Sequence, residues 1–254
     1  MKNRWTIRPI LTGSNSVDKG LYVTHHMNVG IEIELPVMAF LIEGYDRRIL
    51  VDTGMSDGEH ATKWHHDGKQ KPEQAIHRAL ELKGVSTDSI ETIIFTHLHW
   101  DHVFNLEQFP RARKVVHEKE WNFAQDPIPV YWKSYEAPAL GIGKPRPFDG
   151  VKFDKVEGEE EIVEGIRVFP TPGHSPGHQS VQVRTEQGVI VLAGDGFFTK
   201  ENLEPDLKRG WPMTPAGRFS DVVELWHSME EMKRRADLIL MAHEWSHLEK
   251  EVYP

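Results

Sequence analysis

One stretch constrains this chain more than any other: Thr96-His97-Leu98-His99-Trp100-Asp101-His102 packs three histidines and an aspartate into six residues. Thr92-Ile93-Ile94-Phe95, just before it, is apolar and β-branched and reads as a short buried strand. The donors therefore sit at the carboxyl end of a strand, where open α/β sheets place their ligand sites. Neutral imidazole and carboxylate are good ligands for a divalent transition metal. Alternating His97 and His99 can converge from one extended segment, while Asp101 and His102 follow a turn and face another point. Four donors this dense exceed what one open catalytic metal needs, so the segment points to two ions.

Three later segments have the same character. Thr171-Pro172-Gly173-His174-Ser175-Pro176-Gly177-His178 is a stiff turn that leaves His174 pointing outward, with His178 better suited to orienting the loop. Val189–Leu192 is an apolar run that leads to Asp195, and Leu238–Ala242 is another that ends at His243. Four strand ends thus deliver His97/His99/Asp101/His102, His174, Asp195 and His243: seven donors, enough for two metals with positions left open for water. The chain has no cysteine, so thiolate ligation, thiolate catalysis and disulfides are excluded. Nitrogen and oxygen ligands of this kind suit zinc first, with iron, manganese or cobalt also allowed.

The rest of the chain is read around this cluster. With 254 residues, 39% hydrophobic and 27% charged, and no internal repeat or linker, residues 1–254 are expected to form a single soluble domain. A net charge of −9 argues against a nucleic-acid partner. No apolar run approaches membrane-spanning length and the N-terminus lacks an apolar signal core, so no membrane contact and a cytoplasmic location are expected. Val37–Ile42 and Arg48–Val51 form a predicted hairpin that ends in Asp52-Thr53-Gly54. Asp52 is either an outer partner of a metal-bound imidazole or an ordinary turn residue. His60, His65 and His66 lie in a polar stretch and are expected in an exposed loop. His117, at the end of a predicted strand Lys114–His117, is given a structural role.

Predicted helices cover Pro72–Lys83, Glu118–Gln125 and part of Gly217–Arg235. Further strands are expected at Val151–Phe153, Ile166–Phe169 and Val181–Val183. Residues 126–150, rich in proline and aromatics, are too long for a passive connection and are expected to form a lid or pocket wall.

At these residues the chain resembles the metallo-β-lactamase superfamily. Its HxHxDH motif matches His97-Leu98-His99-Trp100-Asp101-His102, and its later histidine, bridging aspartate and final histidine match His174, Asp195 and His243 in order. Within the superfamily the chain looks most like the N-acyl homoserine lactone lactonases, through Ile49–Met55, Thr171–Ser180 and Thr199–Asn202. The resemblance implies a four-layer αβ/βα sandwich, two mixed sheets face to face with helices outside. It implies that His97, His99 and His174 bind one metal, that Asp101, His102 and His243 bind the other, and that Asp195 bridges them. It also implies that a metal-bridging hydroxide opens a lactone ring, with Asp101 as proton shuttle.

Two positions depart from the lactonase pattern. A tyrosine usual three residues after the bridging aspartate is Phe198 here, and Val103-Phe104-Asn105 stands where small residues are common. Both are expected to make the site mouth more apolar. Tyr22, Tyr131 and Tyr135 are candidates for the missing hydroxyl, and Trp132 joins them and Phe198 as a candidate pocket residue. The alternatives are another hydrolase on the same metals (a thioesterase of the glyoxalase II kind, a carboxylesterase or a β-lactamase-like amidase) and a non-catalytic metal-binding module. The loop at 60–71 and the 126–150 segment could serve a homodimer.

Overall fold

The computed structural model describes residues 4–142 and 144–254. Its strands form two sheets. The larger contains β1 (Thr6–Asp18), β2 (Glu32–Gly44), β3 (Arg47–Val51), β4 (Asp67–Lys69), β5 (Thr92–Ile94), β6 (Arg113–His117) and β7 (Asp154–Val156), in the order β4-β1-β2-β3-β5-β6-β7. The smaller contains β8 (Glu160–Val163), β9 (Ile166–Pro170), β10 (Gln179–Thr185), β11 (Gly188–Leu192) and β12 (Leu238–Leu240), in the order β12-β11-β10-β9-β8. Antiparallel pairing dominates where hairpins connect neighbours, as in β2–β3, where Tyr45 and Asp46 both adopt positive φ at the turn. Parallel pairing joins β3, β5, β6 and β7, and β11 to β12.

Alternation along the strands builds the layers. Met38, Phe40, Ile42, Ile49 and Val51 share one core with Val168, Val181, Val183, Ile190 and Leu192, so these faces of the two sheets pack on each other. The intervening residues Ala39, Leu41 and Leu50 join a second core with Ile76, Ala79 and Leu80 of α3 (Ile76–Glu81). On the far side, Val191 and Phe169 pack with Leu225, Met229 and Met232 of α6 (Val222–Arg235). The result is the expected sandwich, helix layers outside two sheets. No helix among the described residues is long and apolar enough to cross a membrane.

Three local expectations shift. The Pro72–Lys83 helix divides into a short 3-10 turn at Pro72–Gln74 and α3. The strand expected at Val151–Phe153 begins at Asp154, while Phe153 is buried in the helix-side core with Val151 against it. The last strand stops at Leu240 and leaves His243 on the loop beyond it.

Candidate metal centre

His97 and His99 leave β5 on an extended segment, and α4 (Trp100–Val103) turns Asp101 and His102 toward the same hollow. The His174 turn depends on Gly173, which adopts φ 125 and lies so close to α6 that a Cβ would collide with the Leu225 backbone. The seven predicted donors form two groups. His97, His99, His174 and Asp195 converge in one, and Asp101, His102 and His243 in the other. Asp195 reaches both, with Oδ2 3.3 Å from His174 Nε2 and Oδ1 3.1 Å from the Nε2 atoms of His102 and His243.

Whether these residues fit metal ions is decided by their unsatisfied atoms. The Nε2 atoms of His97, His99, His102 and His243 and the Oδ1 of Asp195 are all buried without a hydrogen-bond partner. Buried polar atoms are normally paired, so several orphans facing one hollow call for a ligand. The Nδ1 atoms of three of the rings are held from outside. His102 Nδ1 meets Asp52 Oδ2 at 2.8 Å, His174 Nδ1 meets the Arg218 carbonyl at 3.1 Å and His243 Nδ1 meets the Pro36 carbonyl at 2.7 Å. This is how metal-bound imidazoles are oriented. Asp52 is therefore an outer partner of the site and more than a turn residue; it also accepts from the N–H and hydroxyl of Thr96.

Charge fits as well. Burial and repulsion from neighbouring imidazoles hold His97 and His99 well below the usual histidine pKa, and burial brings His174 down to about 3. These three rings stay neutral, the form that ligates. Burial also works against the charged form of His102, but Asp195, Asp52 and Asp101 override it and push its pKa well up. Three carboxylates around one hollow create a demand for positive charge that two divalent ions would meet.

Glu120, on α5 (Glu118–Gln125), braces the centre from outside and was not anticipated. Fully buried, its Oε1 accepts from Leu98 N–H at 2.9 Å and from the Tyr135 hydroxyl at 2.8 Å, and its Oε2 accepts from Ser175 Oγ at 2.6 Å. One carboxylate thus ties the His97–His99 segment to the His174 turn. His178 orients its loop as expected: Nδ1 lies 3.0 Å from the Thr171 carbonyl and Nε2 accepts from Asp195 N–H at 3.1 Å. His117 is structural too, capping α5 by accepting from Lys119 N–H.

The expectations around the mouth change more. His60, His65 and His66 do not form an exposed loop. His60 falls in α2 (Gly58–Trp64), and both it and His65 are buried against Glu136, while His66 and His65 line the cavity above the metal centre. Burial lowers the His66 pKa to about 4. Lysine, arginine and imidazole near this wall, together with Glu136 in the distant 126–150 segment, were invisible as partners in sequence.

The cavity encloses about 160 Å³ and is lined by Tyr22, Leu35, Trp100, Val130, Arg218 and Phe198 among others. Phe198 stacks on His243 with ring centres 5.1 Å apart. Of the five candidate pocket residues, Tyr22 and Phe198 face the cavity. Tyr131, Trp132 and Tyr135 do not line it: their polar atoms donate to the carbonyls of Phe219 and Pro127 and to Glu120. The 126–150 segment is a pocket wall through Val130, Lys133 and Ser134, while its aromatics are core residues. Val103 and Phe104 do not make the mouth apolar; Val103 is buried, and Phe104 packs on His60 with ring centres 4.9 Å apart.

Comparison with known proteins agrees with this geometry. The family model of the metallo-beta-lactamase superfamily matches residues 33–243. An N-acyl homoserine lactonase of Bacillus thuringiensis is 30% identical over 232 residues, 87% of this chain and 86% of its own. The N-acyl homoserine lactonase AiiB of Agrobacterium fabrum is 28% identical over 230 residues, 84% of this chain and 80% of its own. A solved N-acyl homoserine lactone hydrolase, with N-hexanoyl-L-homoserine bound at its catalytic metal centre, superposes with a TM-score of 0.76 at 26% identity, covering 98% of this chain and 96% of that one.

Proposed function

The chain belongs to the metallo-beta-lactamase superfamily, and on that premise we propose that it opens lactones of the N-acyl homoserine kind at a dimetal centre. The observation that carries the reading is the convergence of seven nitrogen and oxygen donors into two groups joined by Asp195, beneath a cavity whose walls mix apolar residues (Leu35, Val130, Phe198) with polar ones (Lys133, Ser134, Arg218). Two divalent ions held there supply an activated water and a Lewis acid for the substrate carbonyl. Zinc is our reading of the metal, because the donors are imidazole and carboxylate with open positions beside them.

The chain's own residues do the rest. His97, His99 and His174 hold one ion, and Asp101, His102 and His243 the other. Asp52 and the carbonyls of Pro36 and Arg218 keep three of the rings aimed, and Glu120 fixes the backbone between His97 and His99. Asp101 is the more open of the two ligating carboxylates, 16% exposed against 4% for Asp195. Its carboxylate takes a proton and returns it to the alcohol oxygen that leaves when the ring opens. The cavity is smaller than the roughly 300–1,000 Å³ of pockets for drug-sized ligands. It suits a lactone head, with the acyl chain running out over Val130, which is 69% exposed.

The test is a pH-stat panel of lactones of increasing acyl length beside a thioester, an alkyl ester and a β-lactam, with elemental analysis of the same sample. Lactone opening should dominate, with two metal equivalents per chain. Preference for the thioester, or full activity in a rigorously metal-free preparation, overturns the reading.

A further inference from the structure

Ring opening places negative charge on the carbonyl oxygen, and a fixed donor aimed at that oxygen lowers the barrier. Resting on the lactonase reading above, we propose that Tyr22 is that donor, its hydroxyl hydrogen-bonding the substrate carbonyl oxygen as charge develops there.

The argument begins with the donors that line the cavity. Lys133 Nζ donates to the His65 carbonyl at 2.6 Å. Arg218 Nη2 donates to Ser134 Oγ at 2.9 Å, and its guanidinium lies over the Tyr131 ring at 4.5 Å. Each cation is tethered to the wall through one of its several N–H groups. The Tyr22 hydroxyl, by contrast, has no hydrogen-bond partner among the described residues and is not sealed from the cavity it lines. The other two tyrosines nearby are excluded by their bonds, Tyr131 to the Phe219 carbonyl and Tyr135 to Glu120.

Tyr22 is also fixed in relation to the metal ligands. It ends α1 (Lys19–Tyr22), whose N-cap Asp18 accepts from Leu21 N–H at 3.0 Å. Its carbonyl accepts from Gly217 N–H at 2.9 Å and Arg218 N–H at 3.3 Å. The Arg218 carbonyl in turn meets His174 Nδ1 at 3.1 Å. One short strut of backbone therefore connects Tyr22 to a ligand of the metal centre. Its ring stands edge-on to His66, with centres 4.9 Å apart and an interplanar angle of 88°, which restricts rotation of the phenol. Tyr22 lines the same cavity as Asp101, and burial raises its phenol pKa, opposed by Arg218. A hydroxyl donor that lines the same cavity as Asp101, where Phe198 offers no hydroxyl, is the arrangement a developing oxyanion requires.

The experiment compares wild type, Tyr22→Phe, Phe198→Tyr and the double variant, all metal-loaded, on a lactone the wild type turns over. Tyr22→Phe should lower kcat about 10²-fold, the scale for one oxyanion donor, with KM changed less than about threefold, two metals retained and Tm unchanged. In the double variant the new hydroxyl at 198, in the same cavity, should restore at least about tenfold of the loss. Calorimetric titration with a ring-opened N-acyl homoserine gives a readout apart from turnover, and Tyr22→Phe should weaken binding several-fold. Wild-type kcat in Tyr22→Phe, or a loss that comes with lost metal or a lowered Tm, overturns the assignment while leaving the lactonase reading intact. A metal-loaded wild type that opens no lactone overturns both.

Discussion

Two clusters of imidazole and carboxylate lie on either side of Trp100, and they differ in what their nitrogens do. In the metal centre the N···O separations about Asp195 run from 3.1 to 3.8 Å, and four Nε2 atoms have no hydrogen bond. In the second cluster, His60 and His65 both bring Nε2 to Glu136 Oε1, at 2.5 and 2.8 Å. These lengths fit direct hydrogen bonds, and although the three side chains converge closely enough to hold an ion, neither Nε2 is left unpaired here. The outer nitrogens differ as well. His102, His174 and His243 each engage an oxygen through Nδ1, whereas His65 Nδ1 is buried with no partner. Similar residue types thus build an open metal site in one place and a closed brace in the other. The brace has its own purpose: the His65 ring stacks on Trp100 with centres 4.0 Å apart, and Trp100 N–H donates to the Ser134 carbonyl, so Glu136 steadies the residue beside Asp101.

Breaking the first cluster should have the largest effect. Asp195→Ala removes the oxygen shared by both groups, so elemental analysis should find both ions lost and lactone turnover reduced by more than the roughly 10–100-fold of an outer-partner mutation. Retention of two metals with full turnover would show that the two groups are independent of Asp195. Breaking the second should act on stability instead. Glu136→Ala leaves two buried imidazole N–H groups without an acceptor, at about 3 kcal/mol, which lowers Tm by roughly 6–12 °C in a chain of this size. Two metal equivalents should remain. A variant that melts like wild type but loses an ion would mean that Glu136 is a ligand after all.

The contrast also explains how far the sequence could be read. The proposed metal ligands were legible because each lies at or shortly beyond the end of an apolar strand, and strand ends of a sheet converge whatever the loops do. The layers came from the family resemblance: β2, β3 and β11 carry continuous apolar runs, which mark buried strands without assigning each side chain to a face. Strand β1, TIRPILTGSNSVD, lacks that signal over its polar second half; it is held by pairing with β2 on one side and β4 on the other. The Glu136 brace was illegible because its partners are about 70 residues apart in segments without periodicity. Glu136 itself sits at positive φ, a tertiary effect that no local pattern announces. Tyr135 and Tyr131 looked like pocket residues because composition cannot tell an aromatic that faces a cavity from one that fills a core.

The finest distinction between the clusters is electrostatic, and pH tests it. Burial alone would raise the Glu136 pKa, but hydrogen bonds from His65 and His60 and their charge pull it below the ordinary value. The unfolded chain therefore takes up this proton first, near pH 4.3. The stabilisation is fully present above that pH and is lost as pH falls through the lower folded value. His65 adds to the same trend: burial, outweighing Glu136 and Asp101, lowers its pKa, so the folded state resists protonation there as pH falls below about 6.5. Glu136→Gln is nearly isosteric with the protonated acid. In metal-stripped protein, where acid release of ions plays no part, the Tm gap between wild type and Glu136→Gln should hold or widen slightly from pH 7 to about 5, then close below about pH 4. A gap that keeps growing in acid would mean that the charged carboxylate is not what stabilises the brace, and the contrast with the metal centre would then rest on distances alone.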